Sequence, residues 1–150
     1  MEEKWIDEFI DSYQTTYVFA IKEISDRVRK RDREVSIEQF FLLRELTRQD
    51  AMSATDIACM MNVNKSAMTT KIKRLEEKKW ITREKNSADK REILIKITQA
   101  GKDFTLKCGQ DMKELILDWV AILGEEESTE FLRLYQLITQ MVVAKKRGEA

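Results

Sequence analysis

Residues 64–98 constrain the fold more tightly than any other part of this chain. Asn64 precedes Lys-Ser-Ala-Met-Thr-Thr-Lys-Ile-Lys-Arg-Leu-Glu-Glu-Lys, in which Met68, Ile72 and Leu75 recur at i, i+4 and i+7. That spacing places the three apolar side chains on one helix face. Asn is a favoured N-cap because its side-chain oxygen accepts from a first-turn N–H. Ser66, Thr70 and Lys73 fall on the opposite face, flanked by Lys65, Thr69, Lys71 and Arg74. Two β-type runs follow at 80–85 and 92–97, the second with Ile93, Ile95 and Ile97 alternating with Leu94 and Lys96. Their polar link, 86–91, has turn composition. Upstream, Ser53 is a cap candidate for a short helix with Ile57, Ala58 and Met61 inward, and residues 62–64 form a tight turn. A short helix, a three-residue turn and a second helix make a helix-turn-helix, and the hairpin after it reads as a wing.

The flanks are helical too. Trp5, Phe9, Tyr13, Tyr17, Ile21, Ile24 and Val28 form one stripe at helical spacing. It ends in a basic cluster, Arg27, Arg29, Lys30, Arg31 and Arg33, whose simplest role is to complement the helix dipole. Ser36 with Gln39 reads as a capping box opening a helix that turns Phe40, Leu43 and Leu46 inward. Residues 48–50 are a polar break. Thr98 caps a long helix carrying Phe104, Cys108, Met112, Leu115, Trp119 and Leu123, which Gly124 ends. A last helix starts with Glu125, Glu126 and Glu127, where acid suits the dipole, and carries Phe131, Leu134, Tyr135, Ile138 and Met141. The expected fold class is mainly α with a small β-hairpin wing. It is one domain, 1–150. A winged helix-turn-helix core at 36–98 (helix-turn-helix about 53–78, wing about 80–98) is flanked by dimerisation helices at 1–33 and 99–147. The terminal stripes hold more apolar surface than such a core needs, which points to a homodimer.

Composition narrows the function. The 150 residues suit one domain, and no Pro with only four Gly fits a helical chain. Net charge is zero, yet residues 62–96 hold eleven basic against five acidic side chains, a local surplus of six. Local field, not total charge, steers a chain toward a polyanion. Two cysteines, Cys59 and Cys108, and no histidine suit free thiols in a reducing cytosol; both read as small core residues. Without His most metal sites and general-base triads are hard to build, so no metal or cofactor is expected. No apolar run approaches the roughly 18 residues of a membrane span, and the acidic start fits no signal peptide. A cytoplasmic protein without membrane contact follows. There is no Gly-rich phosphate loop or nucleophile elbow, and Glu76 and Glu77 are adjacent and point apart, so an enzyme is not expected.

In this order and spacing the residues resemble the MarR family of bacterial winged helix-turn-helix transcriptional regulators. The anchors are Gln39-Phe40-x-x-Leu43-x-x-Leu46, Val63-Asn64-Lys65-Ser66 with Thr69, Leu75-Glu76-Glu77-Lys78, the wing signature Asp89-Lys90-Arg91, and Ile97-Thr98-Gln99-Ala100-Gly101. The resemblance implies a homodimeric repressor on a pseudo-palindromic operator, released by a small molecule. It departs from the family at Lys79, where Gly is common after the recognition helix, and in lacking Pro before Asp89. No Cys lies in the first helix, which argues against a peroxide switch.

Candidate DNA contacts follow. Ser66, Thr70 and Lys73 face base edges or the groove floor; Lys65, Thr69, Lys71 and Arg74 face phosphates. Ser53 and Thr55 open the preceding helix, whose N-terminus can hold a phosphate, although Ser53 serves equally well as a cap alone. Lys90 and Arg91 lie on the wing, with Arg91 suited to a narrow minor groove and Asp89 bracing it or its turn. Tyr13, Tyr17 and Phe40 are candidates for an effector pocket, although aromatics at helical spacing are more often core. The competing class is a winged-helix module that binds protein without DNA. It would need an acidic or apolar outer face, which Lys71, Lys73 and Arg74 disfavour.

Overall fold

The computed structural model describes residues 3–147. In chain order the elements are α1 (Glu3–Arg31), α2 (Ile37–Gln49), β1 (Ala51–Ser53), α3 (Ala54–Met60), α4 (Lys65–Glu77), β2 (Ile81–Lys85), β3 (Ile93–Ile97), α5 (Gln99–Leu123) and α6 (Glu125–Arg147). The chain divides into two units, residues 1–111 and 112–150, with α5 running through the division.

In the first unit, local chemistry starts each helix of the core. Ser36 Oγ accepts from the Gln39 N–H at 3.2 Å and Gln39 Oε1 accepts from the Ser36 N–H at 2.9 Å, completing the capping box. Gln39 is itself buried, and its Nε2 donates to the Lys71 carbonyl at 3.1 Å, tying α2 to α4. The core is built from Phe40, Leu42, Leu43 and Leu46 of α2, Ile57 of α3, and Met68, Ile72 and Leu75 of α4. Ile81 and Ile95 close it from the sheet. Truncating any of these large side chains to Ala costs about 2–5 kcal/mol, since the lost transfer energy adds to a cavity term.

The sheet has three antiparallel strands in the order β1-β3-β2. β3 is central, with Ile95 opposite Met52 on one side and Arg83 on the other. The expected hairpin is present, but β1 is an addition. Ala51-Met52-Ser53 is too short for a periodic signal, and its strand state comes from pairing with β3.

The end of α4 shows how the chain manages without the family's glycine. Lys79 has φ +59°, its N–H donates to the Glu76 carbonyl at 2.8 Å, and the Trp80 N–H donates to the Leu75 carbonyl at 3.0 Å. This is a Schellman termination with Lys in the left-handed position. The Trp80 ring stacks on Phe104 at 4.2 Å, and Thr98 Oγ1 donates to the Lys79 carbonyl at 2.8 Å. A Cβ added at Gly101 would stand 2.4 Å from the Trp80 carbonyl oxygen, so this helical glycine is required by close approach.

The apolar expectations for the short α3 are corrected. Cys59 is exposed, not core. In the short α3 only Ile57 and Ala58 turn inward, and one further residue rotates about 100° to the outside; Met61 is half-buried. Phe40 is fully buried, as its inward spacing with Leu43 and Leu46 predicts, with its ring 5.6 Å from Phe41. Cys108 is buried as expected; loss of water around it, and then the Asp111 charge, push its thiol up to about 11.

In the second unit Gly124, at φ +89°, separates α5 from α6, and the three glutamates occupy the first turn of α6. Phe131, Leu134, Tyr135, Ile138 and Met141 are all exposed. In the first unit α1 leaves Trp5, Phe9, Tyr13 and Tyr17 exposed in the same way and buries only Val28. Among the described residues no helix is long and apolar enough to cross a membrane.

Candidate nucleic-acid interface

α4 presents a polar face because its apolar residues are consumed by the core. Asn64 caps it, with Oδ1 accepting from the Ala67 N–H at 2.8 Å and from Ser66 Oγ at 2.9 Å. Asn64 thus holds the Ser66 hydroxyl at the open end of the helix. Ser66, Thr69, Thr70, Lys73 and Arg74 are exposed, whereas Met68, Ile72 and Leu75 are fully buried. Lys65 begins the helix, but its side chain lies outside the described residues.

The basic residues on this helix differ in availability. Lys73 Nζ is 3.9 Å from Glu77, a surface pair with both side chains mostly exposed. Such a pair contributes little and yields readily to a phosphate or base. Lys71 is half-buried and lies 3.4 Å from Glu38. The Glu38 carboxyl is held below its usual range, first by a hydrogen bond from Ser36 and also by Lys71. Lys71 is therefore the less available of the two.

The N-terminus of α3 is capped by Ser53. Ser53 is buried; its hydroxyl accepts from the Asp56 N–H at 3.0 Å and donates to the Asp56 carboxylate at 2.7 Å. Both functions of the hydroxyl are used, so Ser53 acts as the cap. The phosphate contact considered for its side chain would require breaking those bonds. Thr55, in the first turn, is exposed.

The wing turn is braced internally. The Arg91 N–H donates to Asp89 Oδ1 at 3.0 Å and the Glu92 N–H to the Asp89 carbonyl at 2.9 Å. Asn86 repeats the device, accepting from the Ala88 N–H at 3.0 Å. These side-chain-closed turns do the work of the missing Pro. Arg91 projects into solvent with a side chain 97% exposed, 4.0 Å from Asp89. Lys90 is exposed beside it.

A further group, unassigned from sequence, sits behind the helix. Lys78, the C-cap residue of α4, donates to Asp32 at 2.8 Å and Glu34 at 2.9 Å and lies 5.4 Å from the Trp80 ring. Burial pushes the Asp32 carboxyl up, but hydrogen bonds from Lys78 and the Glu34 N–H outweigh it and hold it low. The hydrogen bonds that Lys78 donates to the Asp32 and Glu34 carboxylates in turn raise Lys78. The partners are more than forty residues apart, so no local pattern could reveal the pair.

Of the effector-pocket candidates, Tyr13 and Tyr17 are exposed and stacked on each other, centroids 6.4 Å apart, while Phe40 belongs to the core.

The region holding the capped α4, its exposed face and most of the wing, residues 35–93, matches the model of the MarR family. Over this segment the chain is similar to the MarR family. It is 39% identical over 71 residues to the HTH-type transcriptional regulator YpoP of Bacillus subtilis, a match covering 47% of this chain and 50% of YpoP. The chain thus spans about half the length of that relative. Solved structures extend the MarR likeness to the whole fold. Staphylococcus aureus MarR in complex with salicylate and kanamycin superposes with a TM-score of 0.80 at 21% identity, covering 94% of both chains. A mutant of Escherichia coli MarR complexed with operator DNA gives 0.75 at 20% identity, covering 89% of this chain and 94% of that one. The winged-helix fold of MarR proteins is therefore the fold of this chain.

Proposed function

We propose that this chain is a sequence-specific transcriptional repressor that binds a pseudo-palindromic operator as a homodimer and releases it on binding a small molecule. The observation that carries the reading is the outer face of α4. Ser66, Thr70 and Lys73 stand exposed on a helix whose inner face is fixed by Met68, Ile72 and Leu75. Short hydroxyls and a lysine on a rigid helix suit base edges, and bidentate or charged contacts there discriminate bases. Lys65, Thr69, Lys71 and Arg74, with Thr55 at the start of α3, supply phosphate contacts that fix register. Lys90 and Arg91 extend the same basic surface to the minor groove.

The homodimer reading is supported by the exposed aromatic and aliphatic stripes of α1 and α6, each of which would be costly to leave in water. The effector reading is supported by the fold's likeness to a MarR protein solved with salicylate and kanamycin. No catalytic role is proposed. Selection from random duplex DNA on the purified protein, followed by salt titration of the winning sequence, tests the reading. A pseudo-palindrome with half-sites about one helical turn apart is expected. A steep salt slope without enrichment would replace it with nonspecific binding.

A further inference from the structure

Ten arginines have described side chains, and six of them lie within 4.0 Å of a carboxylate. Arg29, Arg33, Arg44 and Arg74 have no such partner among the described residues. Three of these four, Arg29, Arg33 and Arg74, line one open cleft of about 680 Å³. Arg29 comes from the last turn of α1, Arg33 from the α1–α2 turn and Arg74 from the last turn of α4. Each acid on the cleft has a cation near it. Glu34 is held by Lys78 at 2.9 Å, and Glu77 lies 3.9 Å from Lys73. The cleft lining holds four basic side chains, Arg29, Arg33, Arg74 and Lys78, against two acidic ones, Glu34 and Glu77, a surplus of two positive charges on a concave surface. Helix dipoles account for Arg29 and Arg74 one at a time. They do not account for Arg33, which follows α1, or for convergence of side chains more than forty positions apart.

We propose that this cleft is a binding site for a phosphorylated small molecule. A guanidinium fork matches the oxygen spacing of a phosphate and donates two parallel hydrogen bonds. Three forks on one cleft suit a group carrying two or more negative charges, and the volume exceeds that of a lone anion. An occupant bridges the end of α1 to the end of α4. The inference stands on the cleft alone and does not depend on the repressor reading.

The test is calorimetric titration of the full chain with inorganic pyrophosphate at fixed ionic strength. Arg29→Gln/Arg33→Gln, Arg74→Gln and Arg44→Gln are compared with wild type. All four arginines are exposed, and circular dichroism melting establishes that each variant folds. Saturable wild-type binding is expected, weakened about tenfold for each cleft guanidinium removed, as for a charged hydrogen bond. Arg44→Gln should bind as wild type does. No saturable binding, or an equal loss in Arg44→Gln, overturns the proposal. Because Arg74 also lies on the proposed DNA face, the double variant is titrated with a non-operator duplex. If it loses DNA affinity while wild type ignores pyrophosphate, the phosphate belongs to the DNA backbone and the small-molecule site is overturned.

Discussion

Asp89 binds the backbone of Arg91, not chiefly its side chain: Oδ1 accepts the Arg91 N–H at 3.0 Å, while the guanidinium stays 97% exposed. The carboxylate sets the turn and leaves the cation for another partner. Arg91→Ala should therefore weaken operator binding and reduce any preference for A/T-rich flanks. Asp89→Ala should weaken it less, by loosening the turn that aims Arg91. Fluorescence anisotropy on operators with A/T-rich and G/C-rich flanks reads both effects. Equal affinity of Arg91→Ala and wild type across a salt series would remove the wing from the interface.

Lys73 and Lys71 separate two roles on one helix. Lys73→Ala should relax sequence choice at one step of each half-site by roughly 1–3 kcal/mol, as for a base contact. Lys71→Ala should lower affinity evenly across sequences and flatten the salt slope, as for a phosphate contact. Binding to a panel of single-step operator variants distinguishes the two. A uniform loss in both would make Lys73 a phosphate ligand.

Lys79 holds φ +59° at the end of α4. The left-handed region costs an L-residue roughly 1–2 kcal/mol, and glycine's greater unfolded-state entropy offsets part of that. Lys79→Gly should stabilise the fold by about 0.5–1 kcal/mol. Urea unfolding with an unchanged slope would show it. A destabilised variant would mean the Lys79 side chain contributes more than its backbone strain.

Arg31 and Asp111 form a two-armed ion pair at 2.6 and 2.7 Å, and Arg27 donates to the Asp111 carbonyl. The hydrogen bond from Arg31 first, and the neighbouring cations with it, hold the Asp111 carboxyl below its ordinary 3.8. A lowered folded-state pKa gives stability that is present above the unfolded value and lost as pH falls through the folded one. Asp111→Asn should therefore cost on the order of 1 kcal/mol at neutral pH, discounted for the half-exposed Arg31. The difference should shrink as pH drops below 3.8. Unfolding curves of both proteins from pH 7 to pH 3 test the trend; a gap that does not narrow would exclude the charge as its cause.

Cys59 is exposed and Cys108 is buried with its thiol raised to about 11. One equivalent of thiol should react quickly with a disulfide reagent in the native protein and the second only on unfolding. Cys59→Ser should abolish the fast phase. Two fast equivalents would show that the packing around Cys108 opens.

What could be read from the sequence was chemistry acting within a few residues. The capping box of Ser36 and Gln39, the Asn64 cap and the inward triad of Met68, Ile72 and Leu75 all rest on spacings of three to seven, and the Gly124 break on a single residue. Backbone geometry alone fixes which groups those spacings bring together. Tertiary structure decided the rest. It made a strand of Ala51-Met52-Ser53 by pairing it with β3 and turned Cys59 outward. It also joined Lys78 to Asp32 and gathered Arg29, Arg33 and Arg74 on one cleft. Those relationships span residues far apart in the chain, and their energies exist only once the helices between them have packed.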